Sequence, residues 1–227
     1  MPGYYKEKLS GQRLKQCYDI APPRVRRYLD AEVETVLQQI AVGDRVLELG
    51  CGTGRILPQL AAKAGLVVGI DNCRDSLLLA QKSLHQITNC FFGEMDATLM
   101  GFGHQVFDVV ACIQNGISAF QVNPRLLIIE ALRVTRTGGS VLFSTYSPRF
   151  WGPRLEWFEL QAKAGLLGEI DWDRTGSGEI VCKDGFRATT LSEDQFLSLT
   201  KGLHADTHLQ EVDNSSLFCH LTPLPPH

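Results

Sequence analysis

Between residues 24 and 40 the apolar side chains Val25, Tyr28, Leu29, Val33, Val36, Leu37 and Ile40 recur three and four positions apart. That spacing predicts a helix with one buried face. Ahead of it, residues 4–20 carry mixed charge around Leu9, Leu14, Cys17 and Tyr18, which suits a short amphipathic helix. Pro22-Pro23 separates the two, because each ring removes a backbone donor and disfavours helix in the residue before it. After Val42-Gly43-Asp44 the pattern changes to short apolar runs. Strands are predicted over 45–49, 66–70, 90–93, 107–113 and 140–145, alternating with helices over 55–64, 76–87 and 124–134, and Thr137-Gly138-Gly139 reads as a turn. Strands alternating with helices of this length form βαβ units and a parallel sheet.

Past Tyr146 the alternation breaks. Residues 153–164 read as a helix, and 179–182 and 186–190 as two strands joined at Asp184-Gly185, a hairpin signal. Ser192 and Gln195 have capping-box spacing ahead of a helix over 193–203. Two last strands, 204–212 and 216–221, are separated by Asp213-Asn214 and can pair antiparallel. The helix and hairpin between 150 and 190 read as an insertion, and residues 1–40 as N-terminal helices, within a single domain over 1–227.

Composition narrows the class. The chain has 227 residues, 44% hydrophobic and 21% charged, which is globular composition and excludes a disordered chain. Lys+Arg 22 against Asp+Glu 25 leaves a formal charge of -3, so a globally basic nucleic-acid binder is excluded and no nucleic-acid partner is expected. Seven cysteines, an odd number with no C-x-x-C pair, argue against a disulfide framework and a structural zinc site. No carboxylate cluster suggests a catalytic metal. The first residues lack the pattern of a secretory leader, and no apolar run approaches the ~20 residues of a membrane span. The expectation is a cytoplasmic protein with no membrane partner.

The strongest chemical signal is Val46-Leu-Glu-Leu-Gly-Cys-Gly-Thr-Gly-Arg55, where a strand runs into Gly50, Gly52 and Gly54 and a helix follows. Such a bend lets backbone N–H groups approach a nucleotide where a Cβ would collide. Its spacing is G-x-G-x-G, not the G-x-G-x-x-G of dinucleotide sites. Asp71 ends the next strand about twenty residues on, where a carboxylate can accept from ribose hydroxyls; the competing role is a helix cap. Asp96 follows the third strand, where a carboxylate can accept from an adenine amine while Met95 or Leu99 packs on the ring.

Glu48-Leu-Gly-Cys-Gly-Thr-Gly54, Gly69-Ile-Asp71, Met95-Asp96-Ala97, Phe107-Asp-Val-Val110 and Val134-Thr-Arg-Thr-Gly-Gly-Ser-Val-Leu-Phe143 together resemble the successive motifs of class I S-adenosylmethionine-dependent methyltransferases. The resemblance covers roughly residues 35–146. It implies a three-layer α/β/α, Rossmann-like fold with a seven-stranded, mostly parallel sheet whose last strand is antiparallel. It also implies S-adenosyl-L-methionine as cofactor. Glu48, Gly50, Cys51 and Gly52 would surround the methionine moiety, with Gly54 completing the bend. Asp71 and Asn72 would hold the ribose and flank the adenine, Asp96 and Ala97 would bind the adenine edge, and Gln114 would lie over the cofactor. The family commonly builds its acceptor pocket from additions such as residues 150–190, expected here as an acceptor-side lid, together with N-terminal helices. The residues after the fourth strand, Ile113-Gln-Asn-Gly116, are not the [D/N]-P-P-[Y/F] tetrad of nucleic-acid amino-methylation.

The expected activity is therefore methyl transfer to a small-molecule acceptor. Two alternatives are a nicotinamide- or flavin-dependent oxidoreductase, against which the glycine spacing counts, and a non-catalytic module that binds S-adenosylmethionine. Because orientation can supply ~7–11 kcal/mol in such a displacement, no acid or base is singled out. Tyr146 and Asn115, just past strand ends, are expected to line the acceptor site, with Trp151 and Tyr18 as walls. Trp151, Trp157 and Phe158 read equally well as packing. His204 and His208 on one strand would stand ~13 Å apart, too far to share an ion. Arg24, Arg26 and Arg27 read as a solvated helix face, and Cys51 as the small residue that the bend allows.

Overall fold

The computed structural model describes residues 4–225. Three helices come first: α1 (Tyr4–Lys8), α2 (Gly11–Asp19) and α3 (Pro23–Gln39). The alternating region follows as β1 (Arg45–Leu49), α4 (Leu57–Ala61), β2 (Leu66–Asp71), α5 (Arg74–Ser83), β3 (Cys90–Glu94), β4 (Phe107–Cys112), α6 (Gly116–Ala119), α7 (Pro124–Val134) and β5 (Thr135–Tyr146). A short 3-10 turn (Pro148–Phe150) leads into α8 (Trp151–Lys163), the hairpin strands β6 (Ile180–Val181) and β7 (Arg187–Ala188), α9 (Glu193–Thr200), β8 (Ala205–Val212) and β9 (Ser216–Pro223).

Seven strands form one sheet in the order β3-β2-β1-β4-β5-β9-β8. The pairs among β1 to β5 are parallel, and β9 is antiparallel to both β5 and β8. This is the Rossmann-like, mostly parallel sheet with an antiparallel last strand that the motifs imply. Side chains alternate across it, as the two-residue period of a strand requires. Val46, Val67, Val109 and Leu142 pack with α3, α4 and α5 on one face; Leu47, Val110, Val141 and Phe143 pack with α7 and α9 on the other. A third apolar cluster joins α2 and α3 to Tyr146, α8 and the hairpin, through Tyr28, Phe150, Trp157, Phe158 and Phe186.

Several elements differ from the periodicity. The helix expected over 4–20 is split at Ser10, whose extended backbone (φ -116, ψ 170) starts α2 afresh. The helix expected over 55–64 shrinks to α4, because Gly54 is left-handed at φ +77 and delays its start. The turn expected at 137–139 is a bulge inside β5: Phe107 pairs with Thr135 but Val109 with Ser140, and the chain accommodates the excess at Gly138 (φ 70). α6 was not foreseen; it follows two consecutive left-handed residues, Gln114 (φ 57) and Asn115 (φ 62). At α9 the capping box of Ser192 and Gln195 forms in both directions.

Candidate functional site

A cavity of about 250 Å³ opens across the carboxyl ends of β1 to β5, beneath α2 and α8. Its floor begins where β1 ends. The Gly50 and Cys51 N–H groups both donate to the Ile70 carbonyl, at 2.8 and 2.9 Å, which turns the chain sharply at the strand tip. Gly50 has φ +75, and a Cβ there would lie 2.5 Å from the Phe120 ring, so only glycine fits. At Gly54 a Cβ would lie 2.8 Å from a Leu84 methyl.

Three carboxylates stand at successive tips. Glu48 on β1 is 7% exposed, and its Oε2 has no partner among the described residues. Burial pushes its acid up to about 8, against the pull of the Arg55 charge. An unpartnered buried carboxylate oxygen is costly in isolation and fits a ligand that brings a cationic group. Asp71 ends β2, accepting from the Gly52 N–H at 2.9 Å and the Cys73 N–H at 2.8 Å. Those bonds fix the carboxylate at the strand tip, facing the cavity. Asp96 follows β3; its Oδ1 accepts from the Thr98 N–H (2.8 Å) and hydroxyl (2.7 Å). Asn72, Met95 and Ala97 also line the cavity, whereas Leu99 is 80% exposed.

Gln114 lines the cavity past β4, with its Nε2 buried and unpartnered. Its left-handed backbone is held by Glu32 of α3, which accepts the Gln114 N–H at 2.6 Å. Asn115 is buried but faces elsewhere: it donates to the Thr189 carbonyl at 2.9 Å and accepts from the Thr145 hydroxyl at 2.7 Å. Tyr18 and Tyr146 line the cavity; Trp151 does not. Trp157, Phe158 and Gln161 form the α8 wall instead. Cys51 is buried with its sulfur directed toward Gly69, and burial pushes its thiol up, so it is not a reactive group. Gly52 and Gly54 shape the bend without lining the cavity.

Of the residues expected at the site, Glu48, Gly50, Asp71, Asn72, Asp96, Ala97, Gln114, Tyr18 and Tyr146 therefore share one cavity, while Cys51, Gly52, Gly54, Asn115 and Trp151 lie outside its lining. Glu32 was not singled out, although a signal existed: it is an acid at a position that completes the apolar stripe of α3. Phe120 and Gln161 carry no comparable mark. Arg24 pairs with Asp213 at 2.8 Å, Arg27 pairs with the same carboxylate, and Arg26 donates to the Ala21 carbonyl at 2.9 Å, so all three serve structure. His208 faces His220 across β8 and β9. Among the described residues no three His, Cys, Asp or Glu side chains gather as metal ligands. The glycine bend, the rigid Asp71 and the unpartnered Glu48 oxygen together fit an adenosyl group with a cationic amino-acid end.

Comparison with known proteins agrees. Residues 46–139 match the family model described as "Methyltransferase domain". A ubiquinone biosynthesis O-methyltransferase of Pseudomonas fluorescens is 31% identical over 135 residues, covering 58% of this chain and 53% of that one. An arsenite methyltransferase of Aquipseudomonas alcaligenes is 27% identical over 177 residues, 72% of this chain and 50% of that one. The chain thus spans about half the length of the curated relatives it matches. Among solved structures, an S-adenosylmethionine-dependent methyltransferase from Methanosarcina mazei superposes with a TM-score of 0.62 at 18% identity, over 83% of this chain and 96% of that one. The N-methyltransferase NodS from Bradyrhizobium japonicum, in complex with S-adenosyl-L-homocysteine, gives 0.58 at 15% identity over 88% of both. These two show the fold, and the match over residues 46–139 identifies a methyltransferase domain in that part of the chain.

Proposed function

We propose that this protein transfers the methyl group of S-adenosylmethionine to a small-molecule acceptor. The observation that carries the reading is one cavity spanning five strand tips, with Glu48, Asp71 and Asp96 at the tips of β1 to β3 and Gln114 and Tyr146 at those of β4 and β5. In this reading Glu48 takes the ammonium of the cofactor, and the Gly50, Cys51 and Gly52 segment lies along its amino-acid end. Asp71 and Asn72 hold the ribose, and Asp96 with Ala97 the adenine edge. Gln114 lies over the junction between cofactor and acceptor. When bound, the cofactor supplies an electrophilic methyl on a cationic sulfur.

What the chain adds is alignment and dryness. The α2 and α8 walls cover the cavity, and orientation together with exclusion of water accounts for much of the acceleration available to such a displacement. The cavity walls would hold the acceptor atom in line with the cofactor's methyl, with the sulfur keeping the electron pair of the bond that breaks, and a proton shed by the acceptor would pass to solvent once the product leaves. Burial pushes the phenols of Tyr18 and Tyr146 up, so both stay neutral and act as hydrogen-bonding groups. Residues 150–190 serve as an acceptor-side lid over the β4 and β5 tips.

The net charge of -3 supports an acceptor other than nucleic acid. Among the described residues no helix is long and apolar enough to cross a membrane. Calorimetric titration tests the reading: S-adenosylhomocysteine is expected to bind with one site per chain and NAD not to bind. Incubation with S-adenosylmethionine and a metabolite extract is expected to yield a product heavier by one CH2. Binding of NAD but not of S-adenosylhomocysteine would support an oxidoreductase instead.

A further inference from the structure

The cavity is divided by charge. Its ionisable acids and bases other than two phenols and two thiols are Glu48, Asp71 and Asp96, all acidic and all on the β1, β2 and β3 side. Among the described residues no lysine, arginine or histidine lines it. Adjacent strands lie ~4.8 Å apart, so the β4 and β5 tips sit about 5–10 Å beyond the β1 tip. There the lining becomes aromatic and uncharged: Tyr146 from β5 and Trp157 and Phe158 from α8, with Tyr18 of α2 standing between this end and Glu48. The polar groups here are the amides of Gln114 and Gln161 and the neutral hydroxyls of Tyr18 and Tyr146.

These rings are held in place. The Trp157 N–H donates to the Cys17 carbonyl at 2.8 Å, and its ring lies 6.1 Å from Tyr18 and 5.9 Å from Phe158. Arg55 stacks 4.8 Å over Tyr18, and Arg154 stacks 4.4 Å over Tyr146. Neither guanidinium lines the cavity. Their charges act on both phenols together with the Glu32 carboxyl, which burial keeps largely protonated below pH 7, so the field here opposes a cationic guest. An anionic guest is drawn by the same field but finds no cationic side chain in the lining to replace the water it would lose. A flat uncharged ring, by contrast, gains contact with every wall and can offer an acceptor oxygen or nitrogen to the unpartnered Gln114 Nε2.

We infer that the methyl acceptor is an uncharged, planar aromatic compound, seated between Tyr18, Tyr146, Trp157 and Phe158 and read at its polar edge by Gln114 and Gln161. This rests on the methyltransferase reading above.

The test uses the full chain saturated with S-adenosylhomocysteine, whose binding is measured first. Ligand-observed NMR titrations then compare indole and catechol, both uncharged at pH 7, with benzoate, the phenethylammonium ion and succinate. At least one uncharged ring is expected to bind at least tenfold more tightly than any of the charged probes. Phe158→Leu is expected to weaken that ring about tenfold while still binding S-adenosylhomocysteine, which also reports that the variant is folded. If Phe158→Leu does not fold, Gln161→Leu makes the same comparison from the polar edge. Tighter binding of benzoate, phenethylammonium or succinate, or no binding of either uncharged ring to a chain that holds S-adenosylhomocysteine, overturns the inference alone. Failure to bind S-adenosylhomocysteine overturns the methyltransferase reading and this inference with it.

Discussion

Replacing Glu32 with glutamine should stabilise the protein above neutral pH and not below pH 4.5. Glu32 is fully buried on α3, where it accepts from the Gln114 N–H at 2.6 Å and the Ser216 hydroxyl at 2.7 Å. Burial nevertheless dominates, raising its acid from 4.5 to about 7 against the pull of these bonds and of Arg55. The folded chain therefore keeps a proton that the unfolded chain releases at 4.5. Stability from this group is greatest below pH 4.5, declines as pH rises toward 7, and is constant above. At 1.36 kcal/mol per unit the decline is about 3 kcal/mol. Glutamine has the same shape, can accept from the Gln114 N–H and can donate to the Ser216 oxygen. One amide hydrogen is left over, at a cost of about 1 kcal/mol. The net gain expected for Glu32→Gln is about 2 kcal/mol at pH 8, shrinking to nothing or slightly negative at pH 4.5. Urea unfolding of both proteins at pH 4.5, 6 and 8 measures it, and other titrating groups cancel in the difference. A variant less stable than wild type at pH 8, or a difference that does not change with pH, would refute the reasoning.

Gly50→Ala places a Cβ 2.5 Å from the Phe120 ring at φ +75, so a loss of about 1–3 kcal/mol in stability is expected. S-adenosylhomocysteine affinity should fall at least tenfold, and calorimetry showing native affinity would mean that the bend does not touch the ligand. For Asp71→Ala, loss of charge-assisted bonds worth about 1.5–3 kcal/mol predicts affinity reduced roughly 10- to 150-fold; an unchanged Kd would leave Asp71 as a loop brace only. Arg154 is buried and donates to the Gly178 carbonyl at 2.8 Å and the Ala188 carbonyl at 2.7 Å. Arg154→Met strips both carbonyls, costing about 2–5 kcal/mol, and limited proteolysis should then cut first between residues 165 and 190. Cleavage at the wild-type rate would place the anchoring of that segment elsewhere.

The central sheet and the β1 to β3 side of the cavity were legible in the sequence because local constraints coincide there. A strand tip, a bend that only glycine can make and a carboxylate at the next tip are all fixed within a few residues of one another. Longer-range placement was not. α8 carries Trp151, Leu155, Trp157, Phe158 and Leu160, so apolar groups surround it and no stripe fixes its rotation. Trp151 and Trp157 were therefore equivalent on paper, and the structure turns Trp157 and Phe158, not Trp151, into the cavity. Asn115 was misdirected for a backbone reason: two left-handed residues in a row re-aim the side chains after β4, which strand periodicity cannot anticipate.

That left-handed pair links the parts the sequence could not join. Non-glycine residues at φ 57 and 62 are unfavourable unless their surroundings fix them. Here Glu32 grips the first from α3, and Thr145 and the Thr189 carbonyl grip the second from β5 and the segment after the hairpin. α3, β5 and the segment after the hairpin thus converge on the turn that carries Gln114 to the cavity wall. Variation in any of them can shift this wall without altering the glycine bend or the acids at β1 to β3. If the proposed function holds, a cofactor end written locally in the chain and an acceptor end assembled from distant elements would allow one fold to keep its methyl donor while its acceptor changes.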